Sequence, residues 1–250
     1  MMGVLEKYIL HLADNQLILG QRLAEWCGHG PVLEEDIALS NFALDNIGQA
    51  TLLYKRVAEI EGAGKSEDDY AFLRSEREYF NFLAMELPNG DYAFTIARQY
   101  LFAEFYALYL SELTKSKDTF LAEYAVKSLK EVKYHVQHAR DWVLRMGDGT
   151  EESHHRIQQA VNHIWNFTGE WFMDFETDLE LMQSGVVPTN SKLLPEWQNA
   201  VQKTCLEATV VMPVSGWMHS GGRNGKHTEY MGHLLTPMQY LQRAYPNSKW

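Results

Sequence analysis

The chain has 250 residues, 46% of them hydrophobic, and a formal charge of −11 at pH 7, with a sequence pI near 5.4. That length suits one domain with a sizeable core, and that charge argues against nucleic acid and against an anionic membrane surface, because phosphate binding needs a basic footprint. Two cysteines, Cys27 and Cys205, are too few for a disulfide framework, and no CxxC or Cys/His cluster suggests zinc. Both are expected as small apolar side chains in a reducing compartment. Glu6, Lys7, His11 and Asp14 interrupt any apolar run at the N-terminus, so no signal peptide is expected. No stretch approaches the ~20 apolar residues of a membrane span. The expectation is a cytoplasmic protein.

Helical periodicity begins at once. The first helix is predicted from about Val4 to Cys27, with Leu5, Ile9, Leu12, Leu19, Leu23 and Trp26 recurring at helical spacing before Gly28, Gly30 and Pro31 end it. The second runs from Leu33 to Glu61, with Ile37, Phe42, Leu44, Ile47, Leu52, Leu53 and Val57 as its apolar face and Gly62-Ala63-Gly64 as its stop. Asp68 to Leu87 reads as helical, closed by the Pro88-Asn89-Gly90 turn signal. A third long helix spans Asp91 to Thr114 and is rich in Tyr and Phe; a fourth spans Asp118 to Met146. A fifth is predicted over Glu151 to Ser184, and a shorter one over Leu193 to Ala208. Gly216 to Lys226 is predicted irregular, and Tyr230 to Tyr245 a last helix with Pro237 near its start. There is no useful β-type alternation and no internal repeat. Four helices of ~24–30 residues would each measure ~36–45 Å, and bundles bury apolar faces of that length economically. The fold expected is therefore all-α and ferritin-like: one domain, its core bundle over about 4–184 and a C-terminal extension over about 191–250.

Di-iron carboxylate bundles place one acid on each of two helices and a Glu-x-x-His pair on each of the other two, the spacing that stacks carboxylate and imidazole on one face. Polar residues fall in that order here: Asp14 in the first helix, Asp45 in the second, Glu104 in the third, Glu131 and His135 in the fourth. The identities depart from the pattern. Asp45-Asn46-Ile47-Gly48 has a short acid and a glycine where His should stand. In the fourth helix two registers stay open: Glu131 to Tyr134 keeps the acid and loses the His, while Val132 to His135 does the reverse. Acids in such helices also serve as ion-pair partners, so Asp14 or Asp45 pairing with Lys or Arg is the structural alternative.

Four further stretches carry a resemblance: Gln21-Arg22-Leu23-Ala24-Glu25-Trp26-Cys27-Gly28-His29; Glu86-Leu87-Pro88-Asn89-Gly90 with Thr95-Ile96-Ala97-Arg98-Gln99-Tyr100; Lys130 to His135; and Gly221-Gly222-Arg223-Asn224-Gly225-Lys226-His227-Thr228-Glu229 leading to Met238-Gln239-Tyr240-Leu241-Gln242-Arg243. Over nearly its full length the chain resembles the C subunits of bacterial ring-1,2-phenylacetyl-CoA epoxidases, multicomponent oxygenases of phenylacetate degradation. The resemblance implies a structural subunit that has lost its metal site and binds no cofactor. Its implied partners are a catalytic A subunit, which holds the di-iron centre and binds the CoA thioester, and a small B subunit. A flavin/iron–sulfur reductase would supply electrons from NADPH. The departures at Gly48 and around Glu131 and His135 fit a C subunit better than an A subunit. Whether the isolated chain self-associates stays open. The rival expectation is an oxidase or oxygenase that binds metal through Asp14, Asp45, Glu104, Glu131 and His135. A third is an interaction module serving a related oxygenase.

Other motifs carry less. Ser220 to His227 invites a phosphate-loop reading but lacks the first Gly, the closing Ser or Thr and the preceding strand. A mobile basic loop is the plainer expectation. The sharper one is that Arg223 and Lys226 contact an acidic partner surface or the CoA phosphates of a neighbouring subunit. His135 with His138, and His154 with His155, suit ordinary surface or core positions. The aromatic third helix, with Trp165 and Trp171, is expected as core or subunit interface.

Overall fold

A computed structural model describes residues 3–214, 216–246 and 248. These residues form α1 (Val4–Ala24), α2 (Leu33–Glu61), α3 (Glu67–Phe72), α4 (Leu83–Glu86), α5 (Tyr92–Leu113), α6 (Thr119–Gly147), α7 (Glu151–Trp165), α8 (Leu179–Ser184), α9 (Leu194–Glu207) and α10 (Glu229–Ala244), with short 3-10 turns between some of them. No strand occurs among the described residues, so the fold is all-α. It falls into two compact units, residues 1–88 with 220–250, and residues 89–219. The units therefore divide the expected extension, drawing residues 220–250 to the first and leaving 191–219 with the second; residues 215, 247, 249 and 250 of that extension lie outside the described residues. Each unit is built on two long helices joined by a short connection and packed along each other, the element from which ferritin-like bundles are made.

In the first unit α1 lies along α2. Gly20 permits the close approach: a Cβ there would stand 3.0 Å from Ile47 Cγ1 and 3.3 Å from the Ala43 carbonyl oxygen. The face of α2 that is buried carries Leu39, Phe42, Ala43, Ala50, Leu53 and Val57. Ile37 and Leu44, expected on that face, are instead 52% and 67% exposed. Three acids in the first turn, Glu34, Glu35 and Asp36, suit the positive end of the helix dipole, and Gly62 ends the helix in the left-handed conformation at φ 63°.

The predicted helix over 68–87 is interrupted, for local reasons. Ser66 and Asp69 form a capping box that starts α3, and Ser75 with Glu78 forms another that starts a 3-10 turn; such side-chain bonds compete with a continuous helix. Tyr79 to Phe82 then runs extended. Its amides are taken by α1: the Phe80 N–H donates to Asp14 Oδ2 (2.8 Å) and the Phe82 N–H to Asn15 Oδ1 (2.7 Å).

In the second unit α5 starts on an Asp91 cap to the Phe94 amide (2.9 Å) and α6 on an Asp118 cap to the Leu121 amide (3.0 Å). The aromatic face of α5 is core. Phe102 and Phe105 each lie 5.7 Å, centroid to centroid, from Trp171, and the Tyr106 and Tyr124 hydroxyls are 2.5 Å apart. Trp197 of α9 donates from its indole nitrogen to the Leu101 carbonyl (3.0 Å). The predicted fifth helix stops at Trp165, where Thr168 turns its hydroxyl back to the Trp165 carbonyl (2.9 Å), and a 3-10 turn over Gly169–Phe172 carries Trp171 and Phe172 into this cluster.

Candidate functional site

Asp14, the first expected ligand, is wholly buried and committed elsewhere. Its Oδ1 accepts from the Tyr54 hydroxyl (2.6 Å) and from Arg74 Nη2, and its Oδ2 from Arg74 Nη1 (3.1 Å) and the Phe80 N–H. Arg74 is itself fixed by donation to the Tyr70 carbonyl (2.6 Å) and by its stacking over the Tyr79 ring (4.1 Å). Burial is the largest single influence and would lower the Arg74 pKa, but the Asp14 charge and hydrogen bond together with the Tyr54 and Tyr79 hydroxyls more than offset it and raise the value, so the guanidinium stays charged. A bidentate, hydrogen-bonded pair of this kind is the arrangement in which a buried carboxylate is compensated. The ion-pair alternative for Asp14 is the one realised.

One turn away, α1 presents neutral polar groups. The Asn15 amide donates to the His11 carbonyl (3.0 Å), and His11 Nδ1 lies 2.6 Å from the Phe80 carbonyl. Burial, and then the Arg223 charge, holds His11 well below the usual imidazole value. The ring is thus neutral, with its proton on Nδ1, the tautomer assigned from the carbonyl it faces.

In α2 the pair buried at i, i+3 spacing is Asn46 and Gln49; Asp45 is half-buried and Gly48 exposed. The register inferred from Asp45 and Gly48 is thus displaced by one residue, and neutral amides occupy the inward positions. In the second unit Val132 and His135 are both buried, while Glu131 is half-buried. Of the two registers left open there, the inward one keeps the His and has valine in place of the acid. Glu104 is half-buried on α5, where burial raises its carboxyl pKa against the opposing effects of the Tyr100 hydroxyl and the Arg140 charge. Among the described residues, no group of three or more His, Cys, Asp or Glu side chains is placed to hold a metal ion. Iron needs anionic carboxylates with imidazole. A carboxylate spent on Arg74, a pair of amides and a Val–His pair do not fit a di-iron centre.

A second acid, absent from the expected ligands, is as densely bonded as Asp14. Glu86 of α4 is wholly buried. Its Oε1 lies 2.7 Å from His227 Nδ1 and accepts from Asn81 Nδ2 (3.2 Å); its Oε2 accepts from the Thr228 N–H (2.8 Å) and hydroxyl (2.7 Å). Arg22 of α1 donates to the Glu86 carbonyl from Nε (3.0 Å) and Nη2 (2.6 Å). His227 Nε2 faces the Tyr79 carbonyl (3.0 Å), which only accepts. With an acceptor at each nitrogen, the Glu86 carboxylate at Nδ1 and the Tyr79 carbonyl at Nε2, both imidazole nitrogens donate and the ring is cationic. Burial lowers the His227 pKa, yet the Glu86 bond and charge more than reverse this and raise it. Three stretches singled out in the sequence, around Arg22, Glu86 and His227, thus meet at one residue, His227 on the Glu86 carboxylate and Arg22 on the Glu86 main-chain carbonyl.

The loop that delivers His227 is held. Asn224 and Lys226 amides donate to the Gly221 carbonyl (2.8 and 3.1 Å), and a Cβ at Gly222 or Gly225 would collide with the carbonyl oxygens of Asn81 and Arg77 respectively. Arg223 is buried, with its guanidinium 5.9 Å from the Tyr8 ring centroid; of the expected partner contacts Arg223 and Lys226, only Lys226 faces outward. The cysteines also differ: Cys205 is buried and its thiol pushed up to about 11 by burial, whereas Cys27 is exposed.

Paired long helices with acids satisfied by internal cations and backbone amides define a protein of the ferritin-like helical class whose donor set does not suit a di-iron centre. The family model described as phenylacetic acid catabolic protein matches residues 4–250, and the chain belongs to that family. It is 43% identical over 249 residues, covering 100% of both chains, to the C subunit of the 1,2-phenylacetyl-CoA epoxidase of Escherichia coli strain K12. No helix among the described residues is long and apolar enough to cross a membrane.

Proposed function

We propose that the chain is a non-catalytic structural subunit of a phenylacetyl-CoA epoxidase in aerobic phenylacetate catabolism. It binds no metal or cofactor, and works in the cytoplasm beside a di-iron catalytic subunit and a small second partner. The full-length likeness to a relative named as the C subunit of such an epoxidase supports the assignment to the complex. The observation that carries the non-catalytic part is the bidentate Asp14–Arg74 pair. An acid that would have to ligate iron is neutralised by a buried cation, and displacing Arg74 would leave that cation in the interior without a counter-charge. The role is then protein–protein: a rigid helical body that packs on a metal-bearing chain of like fold and stabilises it.

The test is reconstitution. Phenylacetyl-CoA-dependent NADPH oxidation is measured with reductase and small subunit present, adding the metal-bearing subunit, this chain, or both. Activity that needs both chains supports the reading. Turnover by this chain without the metal-bearing subunit would make the rival oxygenase reading the better one, and full activity without this chain would remove its role.

A further inference from the structure

We propose that the seam between α1 and α2 is a binding site for internal water, held by the side-chain amides of Gln16 and Asn46, independently of the function proposed above. Gln16 is wholly buried, and neither its Oε1 nor its Nε2 meets a hydrogen-bond partner among the described residues. Asn46 is 2% exposed and its Nδ2 is likewise without one. Native interiors satisfy almost every buried amide, and leaving one dry is costly. The polar groups next to Gln16 in the chain are already taken. Asp14 accepts from Tyr54, Arg74 and the Phe80 N–H, while Asn15 donates to the His11 carbonyl and accepts from the Phe82 N–H.

Small residues surround Gln16. Gly20 lies one turn further on, on the same side of α1, and a Cβ there would stand 3.3 Å from Asn46 Cβ. The helices run antiparallel, with Gly20 beside Asn46 and Asp14 bonded to Tyr54. The α2 residue level with Gln16 is therefore Ala50, which is 1% exposed. Ala13, one turn back on α1, is wholly buried. Glycine and alanine at these positions present no polar side-chain atom to the amide and project least into the seam. The chemistry then selects the ligand. Gln16 offers two N–H donors and an acceptor oxygen, Asn46 two further donors, and neither carries charge. Asp14 is neutralised by Arg74, so an ion at the amides would be buried without a counter-charge. A small neutral molecule that both donates and accepts fits, and water with two to four polar partners is that molecule.

The test counts long-lived internal waters by magnetic relaxation dispersion of the solvent, on the full-length chain and on variants first shown to melt cooperatively. Gln16→Leu puts an apolar group of similar size in place of the amide, a change that is tolerated when donor, acceptor and water leave together. It is expected to lose at least one long-lived water per chain. Leu53→Met, a volume-conserving swap at a wholly buried position of α2, is expected to keep the wild-type count. An equal count in wild type and Gln16→Leu would overturn the proposal. A wild-type crystal structure at a resolution that shows water is the second measurement, and it stands even where the variant fails to fold. A water within about 2.7–3.2 Å of the Gln16 amide supports the site. A Gln16 amide bonded only to protein groups, or with no water beside it, overturns it.

Discussion

Around Asp14 the local chemistry sets strong expectations. Its two oxygens receive four hydrogen bonds, from Tyr54, Phe80 and twice from Arg74. Arg74→Met would leave that carboxylate buried without its cation, and the expected loss is roughly 3–5 kcal/mol, read from urea unfolding; a loss below ~1 kcal/mol would mean the pair is not what holds segment 74–80 to α1. Glu86 and His227 give the pH dependence. The folded imidazole pKa lies above the ordinary 6.5 because the Glu86 interaction outweighs burial. Its stabilisation is therefore fully present below pH 6.5 and is lost as the pH rises through the raised folded value. His227→Gln removes the titrating group, so its unfolding free energy and that of wild type should draw together between pH 6 and pH 9. Curves that stay parallel would show that the ring does not titrate against Glu86.

At the scale of elements, the long periodic helices were legible and the interruptions were not. The second helix was expected over Leu33 to Glu61 and spans those residues; α5 and α6 differ from expectation by a residue at most ends. Their signals, apolar spacing between strong caps and glycine stops, are local. Segments 68–87 and 151–184 broke because capping boxes, a turn at Gly169, and Asp14 and Asn15 from a distant helix claim backbone groups that a helix would use. That competition is tertiary and leaves no period in the sequence. The candidate site suffered likewise: spacing suggested Asp45 and Gly48 in α2, whereas burial falls on Asn46 and Gln49, a one-residue shift that only packing decides. The Gly-rich loop read as mobile because glycine reports freedom and close packing equally. Gly222→Ala should cost roughly 2 kcal/mol or more, since its Cβ would overpack against the Asn81 carbonyl. Gly62→Ala, at φ 63° with open space around it, should cost only about 1 kcal/mol of backbone strain. Melting curves that rank the two the other way would mean the loop is not seated on segment 77–82.

On the function proposed above, the whole molecule contributes a body and not a metal centre. Its long helices belong to a fold that elsewhere builds di-iron sites, and its membership of the phenylacetic acid catabolic protein family spans residues 4–250. Yet the acids that would be needed are paired, displaced to half-buried positions or replaced by amides. Stability should accordingly be indifferent to chelators, because no metal-binding free energy is linked to folding. The most direct test is the iron content of the purified chain after anaerobic loading with ferrous iron and removal of free metal. A value near zero is expected, alongside normal loading of the metal-bearing subunit treated in the same way. Roughly two irons per chain, the stoichiometry of an intact carboxylate bundle, would contradict it.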